Sequence, residues 1–182
     1  MDSSSRIVVL VPGVGLFGLE LAVLAARLRA RRYRVAIFCT NPWAGTLASK
    51  AADLSDMLAR RRIESPSFVA HSFGGRIVLR LLDDYPELLP ARVVTLGSPL
   101  TGCGAARRAM RLPGGRWIVT PALADAACAE ALAIPVGCEL GSIAGRTNLL
   151  LGHLLCPGLQ NDTIVAEKET AALAVRTTWC SR

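Results

Sequence analysis

The chain has 182 residues, of which 52% are hydrophobic and 19% charged, with a net charge of +7. That length and balance fit one globular domain, residues 1–182, with a single buried core, and exclude an intrinsically disordered chain. Mean hydropathy is +0.39, yet no uninterrupted apolar run reaches the roughly 18 residues a membrane-spanning helix needs.

The elements alternate strand and helix from the start. Arg6 to Val11 (RIVVLV) is a continuous apolar run ending at Pro12-Gly13, the pattern of a parallel strand buried on both faces. Leu19 to Arg31 places apolar residues at helical spacing and closes on a basic turn. Tyr33 to Cys39 reads as a second strand, Thr46 to Arg62 as an amphipathic helix, and Pro66 to Ala70 as a short third strand. Phe73 to Tyr85 is a helix stopped by Pro86, and Arg92 to Leu96 a fourth strand ended by Gly97-Ser98-Pro99. From Thr101 to Pro135 the pattern loosens into an excursion over the strand ends. A strand resumes over Val136 to Ala144, and an apolar loop or short helix follows over Thr147 to Gly158. Such alternation predicts an α/β fold, a doubly wound, mostly parallel sheet of about five or six strands.

The basic residues fall in short clusters, Arg27 to Arg34, Arg60 to Arg62 and Arg107 to Arg111, on or at the ends of predicted helices. Cations there suit the helix dipole and solvation. No aromatic residues interleave with them as stacking platforms, so nucleic acid is not expected as a partner. The six cysteines form no CxxC pair and neither histidine joins a ligand cluster, so no metal is expected. The N-terminus leads directly into the first strand pattern without a signal sequence, so a cytoplasmic location is expected.

The strongest chemical signal is Ala70-His71-Ser72-Phe73-Gly74-Gly75, between the third strand and the helix after it. A serine hydroxyl is a poor nucleophile until a base takes its proton, so it must project clear of the sheet. A tight strand-turn-helix does this and requires small residues two positions either side, here Ala70 and Gly74. Gly13, Gly15 and Gly18 also spell the GxGxxG dinucleotide fingerprint after the first strand. That reading needs a carboxylate near the end of the second strand, where Ile37 to Pro42 offers none. The rival reading is a loop that completes an oxyanion hole, with the N–H groups of Val14 and Phe73 facing the developing charge. Ser72 favours the second.

AHSFGG at 70–75, LGSP at 96–99 and NDTIV at 161–165, in that order, resemble the small lipase- and esterase-like members of the α/β-hydrolase superfamily. The likeness runs from Arg6 to about Thr170. It implies Ser72 as nucleophile, Asp162 as acid, Val14 and Phe73 as oxyanion donors, and no metal or organic cofactor. It also implies a carboxylic-ester substrate, small or lipid-like, with Thr101 to Pro135 and Leu149 to Leu155 bordering an acyl cleft. A hydrolase-like module that binds an apolar ligand or a protein partner without catalysis is the alternative.

The family's base is a histidine that follows the acid, and the only histidines here are His71 and His153. His71 adjoins the nucleophile but is expected to point elsewhere. His153 precedes the acid in an apolar loop, where packing is the expected role and service as base the outlying one. In relatives the stretch after the acid often reads Ala-Asp-His-Leu-Val-Leu-Pro. Codons GCG GAC CAC CTG GTG CTC CCG, read one base later, encode Arg-Thr-Thr-Trp-Cys-Ser-Arg, which is residues 176–182. The expectation is therefore a frameshifted or truncated chain with a non-native tail at 176–182. Its closing strand and helix would be missing, its hydrolysis impaired, and its exposed sheet edge prone to self-association.

Overall fold

The computed structural model describes residues 7–13, 18–41, 44–100, 110, 124, 133–145 and 177–181. The strands are β1 (Ile7–Val11), β2 (Arg34–Ile37), β3 (Ser67–His71), β4 (Ala91–Leu96), β5 (Cys138–Gly145) and β6 (Thr177–Ser181). They form one sheet in the order β2-β1-β3-β4-β5-β6 with every neighbouring pair parallel. The helices are α1 (Ala22–Ala30), α2 (Leu47–Arg60) and α3 (Gly74–Asp84). The doubly wound parallel sheet expected from the alternation is the architecture observed.

Strand order explains the layers. The chain steps from β1 outward to β2, then returns across β1 to β3 and on to β4. Right-handed crossovers put helices on opposite faces when the direction of travel reverses. Alternate residues of β1 report this: Val8 and Leu10 pack with Leu21 and Ala25 beside α1. Val9 and Val11 join the larger core with α2 and α3 residues such as Leu54, Leu58, Ile77 and Leu81. The reversal between β1 and β3 makes a crevice at the C-terminal ends of these strands, where open α/β sheets place their ligands.

The helix expected over Leu19 to Arg31 begins as a 3-10 turn, Leu19–Leu21, before α1 proper. Helix α2 opens on a reciprocal cap: Thr46 Oγ1 accepts the Ser49 N–H at 3.2 Å and Ser49 Oγ accepts the Thr46 N–H at 2.9 Å. Its amphipathic pattern conceals an exception, because Lys50 is fully buried and its Nζ donates to the Asn41 carbonyl at 2.7 Å. Burial lowers the Lys50 pKa, opposed by the charge of Asp53.

The largest departure from expectation is the tail. The sequence reading left the sheet without a final strand, yet Thr177–Ser181 pairs in parallel register with β5, Gly141 opposite Thr177 through Gly145 opposite Ser181. An edge strand presents unpaired backbone donors and acceptors that any extended segment can satisfy, and Thr-Thr-Trp-Cys suits extended backbone. On the α1 side the sheet outruns its cover: Val94 of β4 and Ile143 of β5 are each 37% exposed. Parallel sheets ordinarily bury both faces.

Cys138 opens β5, half-buried, and burial together with the Glu139 charge pushes its thiol up to about 11. Folding favours the neutral thiol, which contributes stability below the ordinary thiol pKa of about 8.5 and loses it as pH rises through the raised value. At pH 8 only about a thousandth of it is thiolate. Iodoacetamide at pH 8 is therefore expected to modify the exposed Cys39 at least about tenfold faster than Cys138 in the native chain, read by peptide mass.

Candidate active site

Register carries Ser72 to the crevice. His71 pairs with Leu96 and Ala70 with Val11, so the residue after β3, Ser72, clears the last rung beside Gly13. Ser72 has φ of 51°, the left-handed region that a side chain other than glycine adopts only where its surroundings enforce it. Its N–H donates to the Leu96 carbonyl at 2.9 Å and its carbonyl accepts the Gly75 N–H at 3.2 Å. The turn is thus clamped from β4 on one side and from α3 on the other. This is the strand-turn-helix that the sequence predicts for a nucleophilic serine.

The small residues around it have contacts to answer for. A Cβ on Gly74 would overlap the Val11 carbonyl oxygen and come within 2.7 Å of the Pro12 carbonyl oxygen. Helix α3 therefore starts in direct contact with the end of β1. A Cβ on Gly75 would fall 2.5 Å from Ser98 Oγ, so the next glycine admits the LGSP segment. Phe73, with its side chain buried, is the N-cap of α3 at φ −57° and ψ −25°. Its N–H precedes the intrahelical ladder, as an oxyanion donor's must.

Two residues that sequence reasoning passed over belong here. Arg76, fully buried in α3, donates from Nη1 to the carbonyls of Pro99 at 3.1 Å and Leu100 at 3.3 Å. It pins the segment after β4 against the helix that follows Ser72. The available signal was an arginine in the apolar run Gly74 to Leu79. Arg76→Lys keeps the charge and loses the planar fork, so a stability loss of about 2 kcal/mol in urea unfolding is expected. Glu20 is the other: its Oε1 accepts the Gly13 N–H at 3.1 Å and lies 3.4 Å from His71 Nδ1. His71 therefore faces Glu20, and the expectation that it points away from the serine's chemistry fits this contact.

Val14, His153 and Asp162 lie outside the described residues, as do Leu149 to Leu155 and most of Thr101 to Pro135. Of the predicted site residues the structure thus places Ser72 and Phe73 together. A cleft of about 790 Å³ lies elsewhere. Ser67, Ala91 and Cys138 line it at the N-terminal ends of their strands, opposite the end that carries Ser72. Its position gives it no part in chemistry at that serine.

No family model matches the chain, and no curated protein matches it in sequence. Solved structures do. The mature form of lipase BlEst2 from Bacillus licheniformis superposes with a TM-score of 0.73 at 19% identity, over 98% of this chain and 86% of that one. The propeptide form gives 0.77 at 18% identity, over 98% of this chain and 47% of that one. The metagenomic carboxyl esterase MGS0156 gives 0.75 at 21% identity, over 97% and 63%. The chain thus spans about half to two thirds of the length of two of these proteins. At such identities the likeness establishes the fold, and the fold is that of the α/β-hydrolases.

Proposed function

We propose that this chain is a serine hydrolase of the lipase and esterase type, built to act on carboxylic esters through an acyl-enzyme on Ser72. We further propose that the 182-residue form is impaired for want of a base. One observation carries the reading: Ser72 is held at positive φ between the end of β3 and the start of α3, with Gly74 pressed on β1. A serine serving only as a helix cap does not require that strain. The neighbours that share the fold are named as a lipase and a carboxyl esterase, which supports the substrate class.

In the proposed reaction Ser72 Oγ attacks the ester carbonyl carbon while a base takes its proton. The tetrahedral oxyanion meets the N–H groups of Phe73 and Val14, and its collapse expels the alcohol and leaves the acyl group on Ser72. Water then releases the acid by the same steps. Asp162 is the residue to orient a histidine base. His71 is engaged with Glu20, which leaves His153 as the outlying candidate in this chain.

A fluorophosphonate probe tests the nucleophile. Stoichiometric labelling that disappears in Ser72→Ala supports the hydrolase reading. No labelling of a folded chain, even over the long incubation and high probe concentration that a missing base requires, favours the module that binds an apolar ligand or a protein without catalysis. No helix among the described residues is long and apolar enough to cross a membrane. The exposure of Val94 and Ile143 supports a further proposal, self-association through this side of the sheet, and light scattering that stays monomeric at high concentration contradicts it.

A further inference from the structure

Glu20 is a half-buried charge at the Ser72 end of the sheet for which the proposed reaction has no use. Its side chain is only 13% exposed although it lies in the 3-10 turn that leads into α1, where water is close at hand. Its Oε1 meets the Gly13 N–H and His71 Nδ1 at once. Its Oε2 is buried with no hydrogen-bond partner among the described residues. Holding a carboxylate oxygen out of water without a donor is costly, and such a group calls for an explanation. The positive end of α1 would attract an exposed Glu20 equally well, so the dipole does not explain the inward pose.

Position supplies the explanation. Gly13 is packed against the nucleophile: a Cβ on it would stand 3.0 Å from Ser72 Cβ and 3.4 Å from His71 Nδ1. The next residue, Val14, carries one of the two proposed oxyanion donors. The Pro12–Gly13 peptide is planar, so a hydrogen bond that fixes its nitrogen fixes that plane. The same oxygen faces the residue immediately before Ser72. One carboxylate oxygen therefore couples the start of the oxyanion loop to the nucleophile's own turn. When Nδ1 carries the ring proton, His71 and Gly13 both donate to it.

Resting on Ser72 as nucleophile, we infer that Glu20 is a positioning residue for the oxyanion hole, acting through the Gly13 amide and the His71 ring. It touches no substrate. What it supplies is preorganisation, the feature on which oxyanion stabilisation depends.

The test uses the full 182-residue chain with Glu20→Ala, which removes the acceptor, and Glu20→Gln, which keeps an acceptor and removes the charge. Fluorophosphonate labelling is resolved into its maximal rate and its half-saturating concentration, and amide hydrogen exchange is followed in the peptide spanning Pro12 to Gly18. Outright loss of an oxyanion donor typically costs about a hundredfold or more, so loosening one should cost roughly tenfold in maximal rate. Glu20→Ala is expected to show that fall with half-saturation within about twofold of the parent, faster exchange confined to the Pro12–Gly18 peptide, and an unchanged melting temperature. Glu20→Gln is expected to recover the rate to within about threefold of the parent. A parent-like rate and exchange in Glu20→Ala overturns the inference, and so does a Gln variant as slow as the Ala variant. If Glu20→Ala does not fold, Glu20→Asp, which withdraws the carboxylate by one methylene, is expected to show the same fall in rate, and a parent-like rate there overturns the inference. A parent chain that takes no label even over the long incubation that a missing base requires overturns the nucleophile reading. The exchange arm then still decides whether Glu20 holds the loop, and unchanged exchange rejects that too.

Discussion

Purified as the 182-residue chain, this protein is expected to turn over p-nitrophenyl esters about four to six orders of magnitude more slowly than a hydrolase with a complete triad. Typical turnover is about 10 per second, so the expected rate lies below about 0.001 per second. A serine at neutral pH is a weak nucleophile, and the proton it sheds must go somewhere as the tetrahedral intermediate forms. The proposed acid, Asp162, would not serve alone, because the acid of a triad orients and stabilises an imidazolium. The chain holds two histidines, and His71 faces Glu20. Residual turnover should then come from binding and from the amides around Ser72, and should vanish in Ser72→Ala. Efficient turnover contradicts the impairment, and its loss in His153→Ala identifies the base. Nucleotide sequence spanning codons 170 to 182 and about 60 beyond separates the causes. A second frame continuing as Asp-His-Leu-Val-Leu-Pro toward a histidine establishes the frameshift, and its absence rejects it.

Gly74→Val is expected to destabilise the fold by about 4 kcal/mol, read as a lower urea midpoint with a parent-like slope. Most overpacking substitutions cost less because flexible side chains give way. Here the added Cβ meets the Val11 carbonyl oxygen and the Pro12 carbonyl oxygen, both backbone atoms at the C-terminal end of β1. Relief requires α3 to lift from β1, which withdraws Ile77, Val78 and Leu81 from the core. Gly13→Ala presents a softer case, since the atoms it would approach, Ser72 Cβ and His71 Nδ1, belong to side chains. A Gly74→Val midpoint equal to the parent's would show that α3 and β1 are not in contact in solution.

The local elements and the turn at Ser72 were legible in the sequence because each rests on short-range chemistry. The run Arg6 to Val11 is apolar at every position but its first, which only a strand buried on both faces requires. Ala70 and Gly74 flank Ser72 because the turn has no room for larger groups, and the fold's strand–helix alternation follows from the periods of the pattern. Motif order at 70–75, 96–99 and 161–165 was enough to imply the α/β-hydrolase fold that the structure adopts. What the sequence could not convey is which polar residues the folded chain turns inward. Lys50 and Arg76 sit in helices whose patterns permit a solvent-facing reading, and each is buried where a backbone carbonyl outside its own helix meets it. Glu20 and His71 are 51 positions apart, and no local pattern predicts that they meet over Gly13. The tail shows the same division. Whether its residues would pair depended on an unpaired edge at β5, made by the packing of the five strands before it. Strand and turn are decided within a few residues, whereas the pairing of charges and edges is decided by which segments the finished sheet brings side by side.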